Sequence, residues 1–111
     1  MLRAEADLSS SDYERERERL AHLPRAERFE ALIDFPARHM FKVIGRGDTL
    51  VQEVRAALCG LDLGQEVAFT ERFSSGGRHL ALTFEIEVSS GAQLDCIYLA
   101  LEGIKSVSFL L

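Results

Sequence analysis

The most regular stretch of the chain lies in residues 80–88, where Leu80, Leu82, Phe84, Ile86 and Val88 alternate with Ala81, Thr83, Glu85 and Glu87. A period of two predicts a strand with one apolar and one polar face. Ser90 with Gln93 three residues later then reads as a capping box, and Leu94, Ile97, Tyr98 and Leu101 recur at helical spacing as far as Gly103. Val107, Phe109 and Leu111 alternate as a last strand.

Residues 42–73 repeat this order. Over residues 38–44, Phe41 and Val43 fall on one face, and Met40, Lys42 and Ile44 on the other. Gly45, Arg46, Gly47 and Asp48 break the strand. Thr49 with Gln52 offers a second capping box, and Leu50, Val51, Val54, Ala57, Leu58 and Leu61 draw a helical stripe. A helix over residues 50–59 is expected, closed at Gly60 in the left-handed conformation. Val67, Phe69, Glu71 and Phe73 alternate with Ala68, Thr70 and Arg72 as a strand, and Ser74, Ser75, Gly76 and Gly77 turn it back, with both glycines at positive φ.

The chain therefore reads β, α, β, β, α, β. Each β-α-β unit crosses over right-handedly and leaves room for a strand of the other. The expected fold class is α+β: a ferredoxin-like sandwich, a four-stranded antiparallel sheet with two helices on one face. Its outer sheet face, carrying Lys42, Thr83, Glu85 and Glu87, is either solvated or a partner surface, and its second and fourth strands form the edges.

The first residues lie outside this plan. Glu and Arg alternate over residues 14–19, with opposite charges at i,i+3 (Glu14 with Arg17, Arg15 with Glu18, Glu16 with Arg19) and like charges at i,i+4. Ser11 with Glu14 is a candidate capping box, and Pro24 stops the segment at Leu23. Residues 1–23 are expected to be a charged arm, helical or disordered. Residues 24–111 form one domain opened by a short helix, which docks Phe29, Leu32 and Ile33.

Composition narrows the function. The 111 residues are 47% hydrophobic and 28% charged, enough for one domain with its own core. A net charge of −5 argues against a nucleic-acid partner, and the outward row of the third strand ends in Glu85 and Glu87 where an RNA-binding sheet would carry aromatics. Residues 1–8 mix Arg3, Glu5 and Asp7 among small apolar residues, unlike a secretion signal, and no apolar run approaches the ~20 residues of a membrane span. A cytoplasmic protein with no membrane contact is expected. Cys59 and Cys96 match neither a CxxC pair nor a zinc site and read as reduced thiols opposite their helices' apolar stripes.

His22, His39 and His79 are the only histidines. His39 and His79 fall on adjacent strands and could be neighbours, but two imidazoles without a clustered carboxylate or thiol make a poor metal site. No metal or cofactor is expected. Ser74 and Ser75 lie on a turn without a base, Glu85 and Glu87 have the spacing of a solvated strand, and no phosphate-cradling glycine loop is present. The chain does not read as an enzyme.

Several residues carry a family resemblance. Asp34-Phe35-Pro36, Phe41-Lys42-Val43-Ile44-Gly45, Phe73-Ser74-Ser75 before a glycine turn, Gln93-Leu94-Asp95, Ile97-Tyr98, Leu101 and Val107 together resemble the YbeD-like family of small uncharacterised bacterial proteins, over about residues 32–111. That family is similar in fold to the ACT-type regulatory domains of amino-acid metabolism, which hold effectors after the first strand and commonly form homodimers. The resemblance thus implies a regulatory domain whose ligand site is Gly45, Arg46, Gly47 and Asp48. The chain has Ala37 where the family has cysteine, Arg78 and His79 where it has Lys-Tyr, and Ala81 where it has serine. A cysteine-based role at position 37 is thereby excluded.

Helix-terminal amides suit a carboxylate, and Asp48 repels an acid while welcoming an amine. Two glycines at a strand-to-helix join are also ordinary turn chemistry, and Arg46-Gly47-Asp48 as an adhesion motif is chance. The expected function is a non-catalytic domain binding a small molecule such as an amino acid. The alternative is a protein-interaction adaptor using the sheet edges, the arm or an outer surface of Lys42, Arg78, His79, Thr83, Glu85 and Glu87.

Overall fold

The computed structural model describes the backbone of residues 10–111, and the side chains of residue 12 and residues 14–111. Its elements are α1 (Ser10–Ala21), α2 (Arg25–Leu32), β1 (Ala37–Arg46), α3 (Gly47–Cys59), β2 (Thr70–Phe73), β3 (His79–Val88), α4 (Gly91–Glu102) and β4 (Val107–Leu110). The strands form an antiparallel sheet in the order β2-β3-β1-β4. β3 fills the gap between β1 and β2, and β1 the gap between β3 and β4. The fold is the ferredoxin-like sandwich read from the alternation. Among the described residues, no helix is long and apolar enough to cross a membrane.

β1 and β3 pair from Ala37 opposite Val88 to Arg46 opposite His79. Their inward rows, Phe41 and Val43 with Leu80, Leu82, Phe84, Ile86 and Val88, are buried against Leu50, Val54 and Leu58 of α3 and Leu94, Ile97 and Leu101 of α4. Each such side chain contributes roughly 1.5–3 kcal/mol by leaving water. The helical stripes and strand alternation are thus two halves of one core. Cys59 and Cys96 are free and exposed.

Local chemistry departs from expectation at several ends. Ser90 caps α4 as expected, its Oγ accepting from the Gln93 N–H at 3.1 Å, but Gln93 Oε1 accepts from the N–H and hydroxyl of Ser89. Thr49 does not cap α3: the helix has already begun at Gly47, and the Thr49 hydroxyl donates to Glu53 instead. Gly60 ends α3 in right-handed geometry (φ −66°), while Asp62 and Gly64 take the positive φ. In the β2–β3 turn only Gly77 does so, and the Gly77 N–H closes the turn on the Ser74 carbonyl. Ser11 of the expected first capping box has a side chain outside the described residues. In α1, Glu16 pairs with Arg19, and Arg15 pairs with Asp12 rather than Glu18.

Two strands differ in extent or phase. β2 holds only Thr70–Phe73; residues 67–69 lie off the ladder, with Val67 and Phe69 still packed on the core. β4 carries a register shift opposite Ile44 and Gly45, which turns Val107 and Leu110 inward and leaves Phe109 and Leu111 outside. The simple alternation of Val107, Phe109 and Leu111 is broken there, because a bulge inserts one residue and reverses the phase.

Helix α2 is fastened to α4. A Cβ on Gly91 would stand 2.2 Å from the Ala26 carbonyl oxygen, and the Gly91 N–H donates to the Glu30 carboxylate. Arg25 donates to Glu102, at 2.6 and 3.2 Å, and to Asp95, and these hydrogen bonds hold its guanidinium pKa above the ordinary range. Its Cζ lies 5.5 Å over the Tyr98 ring, which stacks on Phe29 and whose hydroxyl meets His39 Nε2 at 3.0 Å.

Gly91→Ala should therefore cost about 1–3 kcal/mol through overpacking. Gly60→Ala, whose Cβ meets nothing closer than 3.6 Å, should change stability by less than about 1 kcal/mol. Urea denaturation of the two variants checks this contrast. A second expectation concerns His39, whose pKa is held below the ordinary 6.5 by burial. On acidification the unfolded chain takes up this proton first, so the stability from neutral His39 is full above that ordinary value and is lost as pH falls through the folded one. Urea midpoints measured from about pH 7 to about pH 5 should fall in the parent chain and fall less in His39→Gln, which keeps a partner for Tyr98 but does not titrate.

Candidate functional site

β1 runs directly into α3, so the residues expected to form a loop are divided between a strand end and a helix start. Gly45 is buried in β1, and a Cβ there would stand 2.2 Å from the Ser106 carbonyl oxygen. It is a packing glycine that lets the chain before β4 come close, a correction to its expected place in an open loop. Arg46, Gly47 and Asp48 do border open space. They line a cleft of about 760 Å³ together with Thr49, Ser106 and the turn residues Gly77, Arg78 and His79.

The register explains this gathering. Arg46 and His79 are partners at the last rung of β1–β3, so the start of α3 and the β2–β3 turn meet at one end of the sheet. Two sets of residues singled out separately in the sequence, at 46–48 and 78–79, thereby share one cleft. No side chain caps α3, and the amides of its first turn lie among those an α-helix leaves without an internal partner. Arg46 and Arg78 supply two positive charges beside Asp48, which sits in the first turn of α3. Phe73, 58% exposed, flanks the site: its ring would lie 3.1 Å from a Cβ placed on Gly47.

The rest of the expected interaction surface lies elsewhere. Lys42 faces Thr83 across β1–β3, Glu85 faces Met40 and pairs with Arg38 at 2.6 Å, and Glu87 faces Arg38. Lys42, Thr83, Glu85 and Glu87 therefore share the outer sheet face, with His79 on the same row of β3 but at the Arg46 end of the ladder. His39 stands opposite Ile86, near the far end of β1–β3 from His79, so the two histidines are not neighbours. Among the described residues, no group of three His, Cys, Asp or Glu side chains could hold a metal ion.

Some features escaped the sequence reading. Met40, Phe109 and Leu111, between 58% and 65% exposed, place apolar surface around Lys42 and Ile44 on the outer face. For Met40 the signal was visible, as an apolar residue on the polar side of its strand; for Phe109 and Leu111 the β4 bulge hid it. The ion pairs of Arg25 with Asp95 and Glu102 join positions distant in sequence and leave no local trace. A second hollow, about 430 Å³, lies where Leu58 and Cys59 of α3 meet Leu63, Val67 and Phe69, with Arg55 stacked on the Phe69 ring at 4.7 Å.

Comparison with known proteins agrees with this architecture. A UPF0250 protein of Bordetella pertussis is 37% identical over 84 residues, covering 74% of this chain and 92% of its own. A UPF0250 protein of Chromobacterium violaceum is 38% identical over 87 residues, with 74% and 94% covered. Among solved structures, a Helicobacter pylori protein described as hypothetical matches with a TM-score of 0.56 at 15% identity, over 81% of this chain and 96% of that one. The ACT domain from the GTP pyrophosphokinase of Chlorobium tepidum matches with a TM-score of 0.51 at 10% identity, over 67% and 94%. These two likenesses establish the shared fold. The family model described as "Protein of unknown function (DUF493)" matches residues 30–111, and with the UPF0250 relatives it bears out the YbeD-like resemblance: the chain belongs to the DUF493 family.

Proposed function

We propose that this protein is a non-catalytic regulatory domain whose effector is a small amino-acid-like molecule, bound in the cleft at the start of α3. The observation that carries this reading is the uncapped first turn of α3 opening beside Arg46, Arg78 and Asp48. A carboxylate gains from helix-terminal amides and from guanidinium groups, while an ammonium group gains from Asp48. The cleft thus offers complementary charge to both ends of a zwitterion. Its groups are exposed, so solvent screens each contact, and a modest affinity follows. The ACT-domain likeness in fold supports the regulatory reading.

Ser74 supports the non-catalytic part. Its hydroxyl oxygen accepts from the His79 N–H at 3.2 Å, and its own N–H donates to the His79 carbonyl, so the residue serves the turn. One observation favours the adaptor reading instead: the apolar surface of Met40, Phe109 and Leu111 on the outer sheet face.

A thermal-shift series with individual amino acids tests the effector reading. A ligand at 100 times its Kd should stabilise the fold by about 2.7 kcal/mol. Arg78→Ala and Asp48→Asn should each weaken that ligand about tenfold, near 1.4 kcal/mol, without moving the ligand-free midpoint. If no amino acid shifts the midpoint at about 10 mM, where even a 1 mM ligand would register, the effector reading fails.

A further inference from the structure

The β2–β3 ladder stops before the sequence says it should. Residues 67–73 alternate as a strand, and residues 67–70 keep strand phase, with Val67 and Phe69 half-buried and Ala68 and Thr70 exposed. Pairing nevertheless begins only at Thr70, opposite Thr83. Continuing that register would set Ala68 opposite Glu85 and Glu66 opposite Glu87.

The backbone of β3 shows what the missing rungs leave behind. The His79 carbonyl accepts from Ser74, and both backbone groups of Glu87 are engaged by Gln65, so the odd-numbered residues of β3 turn their N–H and C=O toward β2. At Glu87 the Gln65 side chain stands in for a strand: its Nε2 donates to the Glu87 carbonyl and its Oε1 accepts from the Glu87 N–H, each at 3.0 Å. Between this false rung and Thr70, no hydrogen bond from a described residue reaches the Glu85 N–H or C=O on the β2 side. A groove of about 350 Å³ opens here, bordered by Glu66, Ala68 and Thr70 on one bank and Thr83 and Glu85 on the other.

We propose that residues 66–69 are the unzipped half of β2 and form a two-state latch. In the open state, described above, Gln65 holds Glu87. In the closed state Ala68 exchanges both backbone hydrogen bonds with Glu85, Glu66 pairs with Glu87, Gln65 leaves β3, and the groove is filled. Charge holds the latch open. Closure places the Glu66 and Glu87 side chains directly across from one another on the outer face, and like charges so placed are destabilising. The charged groups beside them are Glu85, two residues away on β3, and Arg38, across from Glu87 on β1, and Arg38 is already bonded to Glu85. Three carboxylates would then share one guanidinium. A partner that supplies positive charge at Glu66 and Glu87 drives closure, which also shifts Val67 and Phe69 at the hollow below α3.

Amide hydrogen exchange followed by NMR tests the latch. In the parent chain the Glu85 amide should exchange at least about tenfold faster than those of Thr83 and Glu87. Glu66→Thr, an exposed change that removes the repulsion, should slow Glu85 exchange at least about tenfold while leaving Thr83 unchanged. Gln65→Ala in the parent should speed exchange at Glu87. A Glu85 amide already protected in the parent overturns the open state, and unchanged Glu85 exchange in Glu66→Thr overturns the electrostatic latch. Protection spread evenly over all of β3 would mark a general gain in stability and equally overturn it.

Discussion

Everything in this molecule hangs on the antiparallel pairing of β1 with β3. The two strands are the middle of the sheet, paired from Ala37–Val88 to Arg46–His79, and their inward rows supply seven of the buried core residues. A slip of β3 by one residue against β1 would turn Leu82, Phe84 and Ile86 to solvent and Thr83 and Glu85 into the core while Phe41 and Val43 stayed inward, so the register is held by the whole hydrophobic row at once. The same register decides what meets at each end. At the Arg46–His79 end the start of α3 meets the β2–β3 turn and forms the cleft; toward the other end His39 leads to Tyr98 and the α2–α4 junction.

The outer layers are attached to that pair by close backbone approaches at glycines and by charge-assisted hydrogen bonds. Gly45 admits the Ser106 carbonyl beside β1, and Gly91 admits the Ala26 carbonyl beside α4. At the α2–α4 junction Arg25 is only partly exposed, and its two carboxylate partners offset the cost of its desolvation. A guanidinium that bridges Asp95 and Glu102, seven residues apart on α4, fixes the direction of α2 as well as its position. The ion pairs of α1, being exposed, have no comparable leverage.

What could be read from the sequence follows from where burial acts. β1, β3 and α4 were legible because half their side chains face a core, and burial imposes a period on them. β2 was overread because its described residues are all exposed, so its length is decided by pairing and charge, neither of which leaves a period. β4 was misphased because one bulged residue, invisible without the partner strand, reverses inside and outside. The start of α3 was misplaced because two nearby glycines look like a loop in any sequence. Here one glycine belongs to a strand and the other to a helix: Gly45 is small for the sake of the Ser106 carbonyl, while the nearest neighbour of a Cβ on Gly47 is the edge of the exposed Phe73 ring, at 3.1 Å. Of the candidate site, Arg46, Asp48, Arg78 and His79 were identifiable as residues, but their meeting depends on a register that only the paired strands provide.

A glycine pair at a strand-to-helix join invites the argument that the backbone is bared for a ligand. At Gly45 the distances give a different cause, since a Cβ there would strike the Ser106 backbone. Gly45 is therefore required by the fold, whether or not a ligand binds. What a ligand would meet is chosen independently, by the charged residues that follow each element end: Arg46 and Asp48 around the helix start, Arg78 after the turn. The missing side-chain cap on α3 belongs to the same choice, because a serine or aspartate at the Arg46 position would satisfy one of the first-turn amides from within. An arginine there leaves those amides without a side-chain cap and adds a positive charge at the rim, and that residue, more than either glycine, is what the proposed preference for an anionic group rests on.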